Sequence, residues 1–198
     1  MKIAVIAWGS LIEDSWGFET AAKFAPNGPF LPIEFCRISR DRRLTLVVDE
    51  TFGAVCKTYA AASALEDLDA AIEALRVREG MPTARSVGFV EPASGRQSGV
   101  AVERHPDAVA TIAAWAQASG YGAAVWTALA SNFEEPDKGG EPFSVTAALK
   151  YLEALENEDA AAFASALAYF RSAPREVETP VREKVAKRWP RLKARTAF

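Results

Sequence analysis

The chain has 198 residues, 49% hydrophobic and 25% charged, with a formal net charge of −3. It can bury a sizeable core as one domain, or as one domain with a helical appendage, and its acidic balance argues against general nucleic-acid binding, which needs a basic footprint. Two cysteines without metal-ligand spacing, one histidine, and no apolar run of the roughly 18 residues that a membrane helix requires argue against a zinc site, a Ser-His-Asp triad and a membrane partner, leaving a cytoplasmic protein as the expectation.

The first element is the apolar run Ile3 to Ala7, in a strand predicted over 2–8 and covered on both faces. It stops at Trp8-Gly9-Ser10-Leu11. Gly9 permits a turn or a close backbone approach, and Ser10 adds a hydroxyl beside consecutive N–H donors, a combination suited to holding a carboxylate; the same pair also makes an ordinary turn. Strands follow over 31–39, 43–49 and 53–60, separated by turn residues Asp41 to Arg43 and Asp49 to Gly53, so this stretch reads as an antiparallel meander with Cys36 and Cys56 as buried, reduced thiols.

From Ala64 to Glu79, the spacing of Leu65, Leu68, Ile72 and Leu75 predicts a helix with one buried face. Ser63 is the expected N-cap, with Glu66 completing a capping box, and Gly80 followed by Pro82 closes the helix. Glu79 then stands in the last turn, where the negative end of the helix dipole tends to raise a carboxylate's pKa, which suits a group that takes and gives a proton. The alternative is a solvated terminal Glu beside Arg76 and Arg78.

Further strands are predicted over 85–91, 98–103 and 122–128, with a turn at Pro92 to Gly99 and a helix from Pro106 to Gly120 that His105 precedes as a surface residue. The loop Ser131 to Phe143, rich in Gly, Pro and acidic residues, is suited to covering a pocket mouth. Beyond it the chain is alanine-rich, with helical stripes at Val145, Leu149, Leu152 and Leu155 and at Phe163, Leu167 and Phe170, and with Pro174 and Pro180 before a third helix. These helices are expected to pack on the strands and to shape substrate choice without supplying catalytic groups. The basic stretch Arg182 to Arg195, interrupted by Trp189, Pro190 and Leu192, reads as a solvated helix face.

AWGSLI resembles the YGSL-type loop of the gamma-glutamylcyclotransferase-like proteins, and LRVREG resembles the segment carrying their catalytic glutamate. FCRISRDRRLTLVV followed by GAVCKTYAAAS is similar to the arginine-bearing strand, turn, strand and Gly-led strand of the ChaC-type branch. The resemblance covers residues 2–92, with looser agreement through AAVWTAL. It implies an α+β fold: a small mixed, mainly antiparallel β-barrel with flanking helices over 1–130, followed here by a loop and helical extension over 131–198. It implies an enzyme in which the alpha-amine of a gamma-glutamyl compound attacks its own side-chain amide, releasing 5-oxoproline and an amine or shortened peptide. Glu79 would be the acid/base, and Trp8, Gly9, Ser10 and Leu11 would bind the substrate. No metal or other cofactor is implied; the partner is a small molecule, and the protein a monomer or homodimer. Trp8 departs from the family's usual Tyr, and residues from about Ala130 onward have no counterpart in its small members.

Two other classes stay open. One is a binding or regulatory protein that keeps the pocket without turnover. The other is an enzyme whose nucleophile is Cys36 or Ser10, which would call for a histidine or another basic group nearby.

Overall fold

The structure is a computed structural model that describes residues 1–13 and 17–190. Its strands are β1 (Ile3–Ala7), β2 (Phe30–Ile38), β3 (Leu44–Val48), β4 (Ala54–Lys57), β5 (Tyr59–Ala62), β6 (Val87–Glu91), β7 (Arg96–Gln97) and β8 (Ala123–Thr127). Its helices are α1 (Leu68–Arg78), α2 (Gly99–Arg104), α3 (Pro106–Ala118), α4 (Val145–Glu158), α5 (Ala160–Ser172) and α6 (Pro180–Arg188). Among the described residues this is an α+β protein with two sheets. The larger has the order β5-β1-β8-β6-β7, in which only β1 and β8 run parallel; the smaller, β3-β2-β4, is antiparallel.

The continuous apolar run of β1 reflects burial on both faces. Ile3, Val5 and Ala7 pack with Leu68, Ile72 and Leu75 of α1, whereas Ala4 and Ile6 join a second core that includes β2, β3 and the C-terminal helices. The stripes of the last third behave as their spacing predicts: Leu152, Leu155, Phe163 and Phe170 are buried in that second core, with Val145, Leu149 and Leu167 packed against it. One carboxylate fixes the junction. Glu34 of β2 is fully buried and accepts hydrogen bonds from the Phe35 N–H, the Thr179 hydroxyl and the Val181 N–H at the start of α6.

Several local expectations need correction. The segment 98–103 is not a strand: Ser98 caps α2, its hydroxyl accepting from the Ala101 N–H at 3.3 Å. The run 53–60 divides at Thr58, whose buried hydroxyl donates to the Pro29 carbonyl at 2.5 Å, so that β4 and β5 belong to different sheets. The meander also fails, because β4 pairs with β2 on the edge opposite β3. Asp67, and not Ser63, is the N-cap of α1; the Ser63 hydroxyl is taken by the Leu65 N–H, and the Ser63 N–H donates to Ile3 of β1. His105 is buried where α2 meets α3, and burial lowers its pKa.

The start of the loop 131–143 is stitched to β2, and Lys138, Gly139 and Glu141 farther along it line a cavity beside α4. Asn132 mimics a strand partner, accepting from the Ile38 N–H at 2.8 Å and donating to the Ile38 carbonyl at 3.0 Å. Arg182, at the start of the basic stretch, donates to the carbonyls of Ala173 and Val177, closing the end of α5; residues 191–195 of that stretch, Leu192 among them, lie outside the described residues. Among the described residues, no helix is long and apolar enough to cross a membrane.

Candidate active site

Beyond β1 the chain is anchored before it turns. Trp8 is only 4% exposed, and its indole N–H donates to the Leu46 carbonyl of β3 at 3.3 Å. A short 3-10 turn, Ser10–Ile12, follows, closed by the Ile12 N–H on the Gly9 carbonyl at 3.0 Å. The opening N–H groups of such a turn have no acceptor within it. Ser10 is exposed, and Leu11 is buried in the α1-side core, which fixes the far end of the turn.

The end of α1 is as definite. The Met81 N–H donates to the Arg76 carbonyl and the Gly80 N–H to the Val77 carbonyl, with Gly80 at φ +61°, the pattern of a Schellman cap. Met81 is buried against the α1-side core, so the cap turns the chain back inward. Glu79, the last residue before the left-handed glycine, has a side chain that is 19% exposed, with Oε1 2.5 Å from Nη1 of Arg78. A solvated terminal Glu is therefore not what the structure contains. Arg76 is engaged elsewhere, clamping Glu73 through two nitrogens and donating to the Met81 carbonyl.

These two segments, about seventy positions apart in sequence, line one cavity of about 510 Å³. Trp8, Gly9, Ser10 and Leu11 are on its wall, and so is Glu79. Three arginines of the β2–β3 hairpin, Arg37, Arg40 and Arg43, line it as well. Arg37 donates to the Ala130 carbonyl at 2.7 Å, and Arg43 Nε lies 2.7 Å from Asp41 Oδ2. With Glu79 and Asp41 on its wall beside three arginines, the cavity is suited to an anionic or zwitterionic ligand whose proton must be moved.

Tyr169 of α5 also lines the cavity, and sequence reasoning missed it. Its one signal was a phenol at the margin of the Phe163, Leu167, Phe170 stripe, an apolar ring with a polar tip. The hairpin arginines were visible in the strand-turn-strand pattern but had no role assigned.

The residues considered as nucleophiles fare differently. Cys36 is buried away from the cavity wall, and its thiol, 3.5 Å from Asp49 Oδ2, is held far above its ordinary pKa by burial and by that carboxylate. Burial also pushes Cys56 up, to about 11. Ser10 does reach the cavity, but no histidine lines it. No group of three or more His, Cys, Asp or Glu able to hold a metal ion occurs among the described residues.

No protein-family model matches the chain, and comparison with curated proteins and with solved structures gives no match.

Proposed function

We propose that this protein is a gamma-glutamylcyclotransferase-like enzyme that converts a small gamma-glutamyl amide or peptide into 5-oxoproline and a free amine. What carries the reading is the convergence of Trp8 to Leu11 and Glu79 on one cavity. The two sheets, joined through Thr58, are read as the two parts of a small, mainly antiparallel barrel.

The chemistry asks little of the protein. The amine and the side-chain amide carbonyl belong to one molecule, so folding the substrate and orienting the two supplies much of the rate. The amine nitrogen forms a bond to the amide carbon, the bond from that carbon to the departing nitrogen breaks, and Glu79 moves the proton from the first nitrogen to the second. The turn Gly9 to Leu11 holds the glutamyl carboxylate through main-chain N–H groups and the Ser10 hydroxyl. Arg78, in contact with Glu79, keeps the carboxylate pointed in one direction.

A screen of gamma-glutamyl dipeptides and amines for release of 5-oxoproline tests this reading. Glu79→Gln keeps the shape of the side chain and is expected to lower turnover by about 10²- to 10⁴-fold. Undiminished turnover in that variant would remove Glu79 from the mechanism. The same Glu79–Arg78 ion pair favours a second reading, a ligand-binding protein without turnover, whose signature is saturable binding of the gamma-glutamyl compound with no 5-oxoproline formed.

A further inference from the structure

Tyr169 reaches the cavity from the segment expected only to cover the strands. Its oxygen lies 2.8 Å from where a β-carbon on residue 9 would stand, so the phenol occupies the space that glycine leaves open. The ring is held edge-on to Phe35, with centroids 5.9 Å apart at 82°, and the Arg43 guanidinium lies 5.5 Å from its centroid. The phenol lies beside the main chain of Leu46, whose carbonyl accepts from Trp8. A phenol hydroxyl can donate its one proton to a ligand acceptor.

We infer that the Tyr169 hydroxyl is the hydrogen-bond donor that meets a ligand oxygen at the Gly9 turn, so that α5 completes the site. The inference rests on the cyclotransferase reading for the identity of that oxygen: the side-chain amide oxygen, which gains negative charge as the amine attacks. Burial pushes the phenol up to about 12, against the Leu46 contact and the Arg43 charge, and so keeps it protonated at neutral pH. Because the ring is fixed by Phe35 and Arg43, the donor is oriented before the ligand arrives, the condition under which one such bond contributes most to a developing charge.

The test uses the full chain as wild type, Tyr169→Phe, Tyr169→Leu and Glu79→Gln, with 5-oxoproline release and thermal melting measured on each. Tyr169→Phe keeps the ring and is expected to lower kcat by about 10- to 100-fold with little change in melting temperature, while Tyr169→Leu is no slower than Phe but less stable. A role in packing alone gives the other order, with Phe restoring what Leu loses. Turnover of Tyr169→Phe within twofold of wild type, with Glu79→Gln inactive, overturns the inference and leaves the cyclotransferase reading standing. Should wild type release no 5-oxoproline, calorimetric binding of L-glutamate decides: weaker binding by Tyr169→Phe upholds the donor without the turnover. Equal binding by the two, or none by either, overturns it.

Discussion

Adding one methyl group at residue 9 gives a sharp test of how the site is built. A β-carbon there would stand 2.8 Å from the Tyr169 oxygen, closer than carbon and oxygen approach without something shifting, while its next neighbours, Leu46 Cδ1 at 3.7 Å and Tyr169 Cζ at 3.9 Å, are at ordinary contact distance. With φ −150° and ψ −137° at Gly9, whatever alanine costs the backbone is the same with or without the Tyr169 oxygen. Forcing a packed ring to move costs about 1–3 kcal/mol. Gly9→Ala should therefore lower stability in the wild type. In a Tyr169→Phe background the obstructing oxygen is gone, and the same change should cost correspondingly less. The coupling between the two sites is then about 1–3 kcal/mol, read from urea midpoints of the four proteins at constant m. Additivity of the two substitutions within about 0.5 kcal/mol would refute the account of Gly9 as the residue that admits the phenol.

Two further outcomes are expected elsewhere in the fold. Burial raises the Glu34 pKa above its ordinary 4.5, so between the unfolded and folded values the native state holds more protons and stability falls as pH rises through that window; Glu34→Gln should flatten this fall, and equal slopes in urea midpoints measured from pH 4 to 7 would argue against it. Removing residues 144–198 strips Leu152, Leu155, Phe163 and Phe170 from the second core at about 1.5–3 kcal/mol each, against a total stability of about 5–15 kcal/mol, so the product should aggregate; a soluble, cooperatively unfolding truncated monomer by sedimentation and calorimetry would show that the helices are a separate module.

Where local chemistry decides conformation, the sequence was readable. Gly80 ends α1 at the expected residue because only a left-handed position there closes both cap hydrogen bonds, and the leucine and phenylalanine stripes of the last third mark their buried faces correctly. The failures are tertiary. Val100 and Val102 alternate like a strand, but the Ser98 cap and the burial of Ala101 favour a short helix. Nothing local in 53–60 announces a break; the Thr58 hydroxyl on Pro29, 29 positions earlier, makes it. His105 is placed inside by the meeting of two helices rather than by its own polarity. The Trp8 to Leu11 turn and Glu79 were both legible as separate features, yet no spacing rule links them to Tyr169 or to the hairpin arginines, because the four segments meet only through the packed sheets.

Two of those segments, the turn after β1 and α5, meet at Leu46 on the outer edge of β3. Leu46 accepts from Trp8 with its carbonyl and lies beside the Tyr169 phenol, so an edge that would otherwise need covering is used to set the turn after β1 near α5. The arrangement also divides labour between the two aromatic residues. An indole has one donor and no acceptor, and Trp8 has spent that donor on Leu46, which leaves it as wall and anchor with nothing to offer a ligand oxygen. The phenol beside the same residue has a hydroxyl that can both donate and accept. A change that tilts β3 at Leu46 should therefore disturb turn and hydroxyl together, whereas a change at Glu79 should leave both in place.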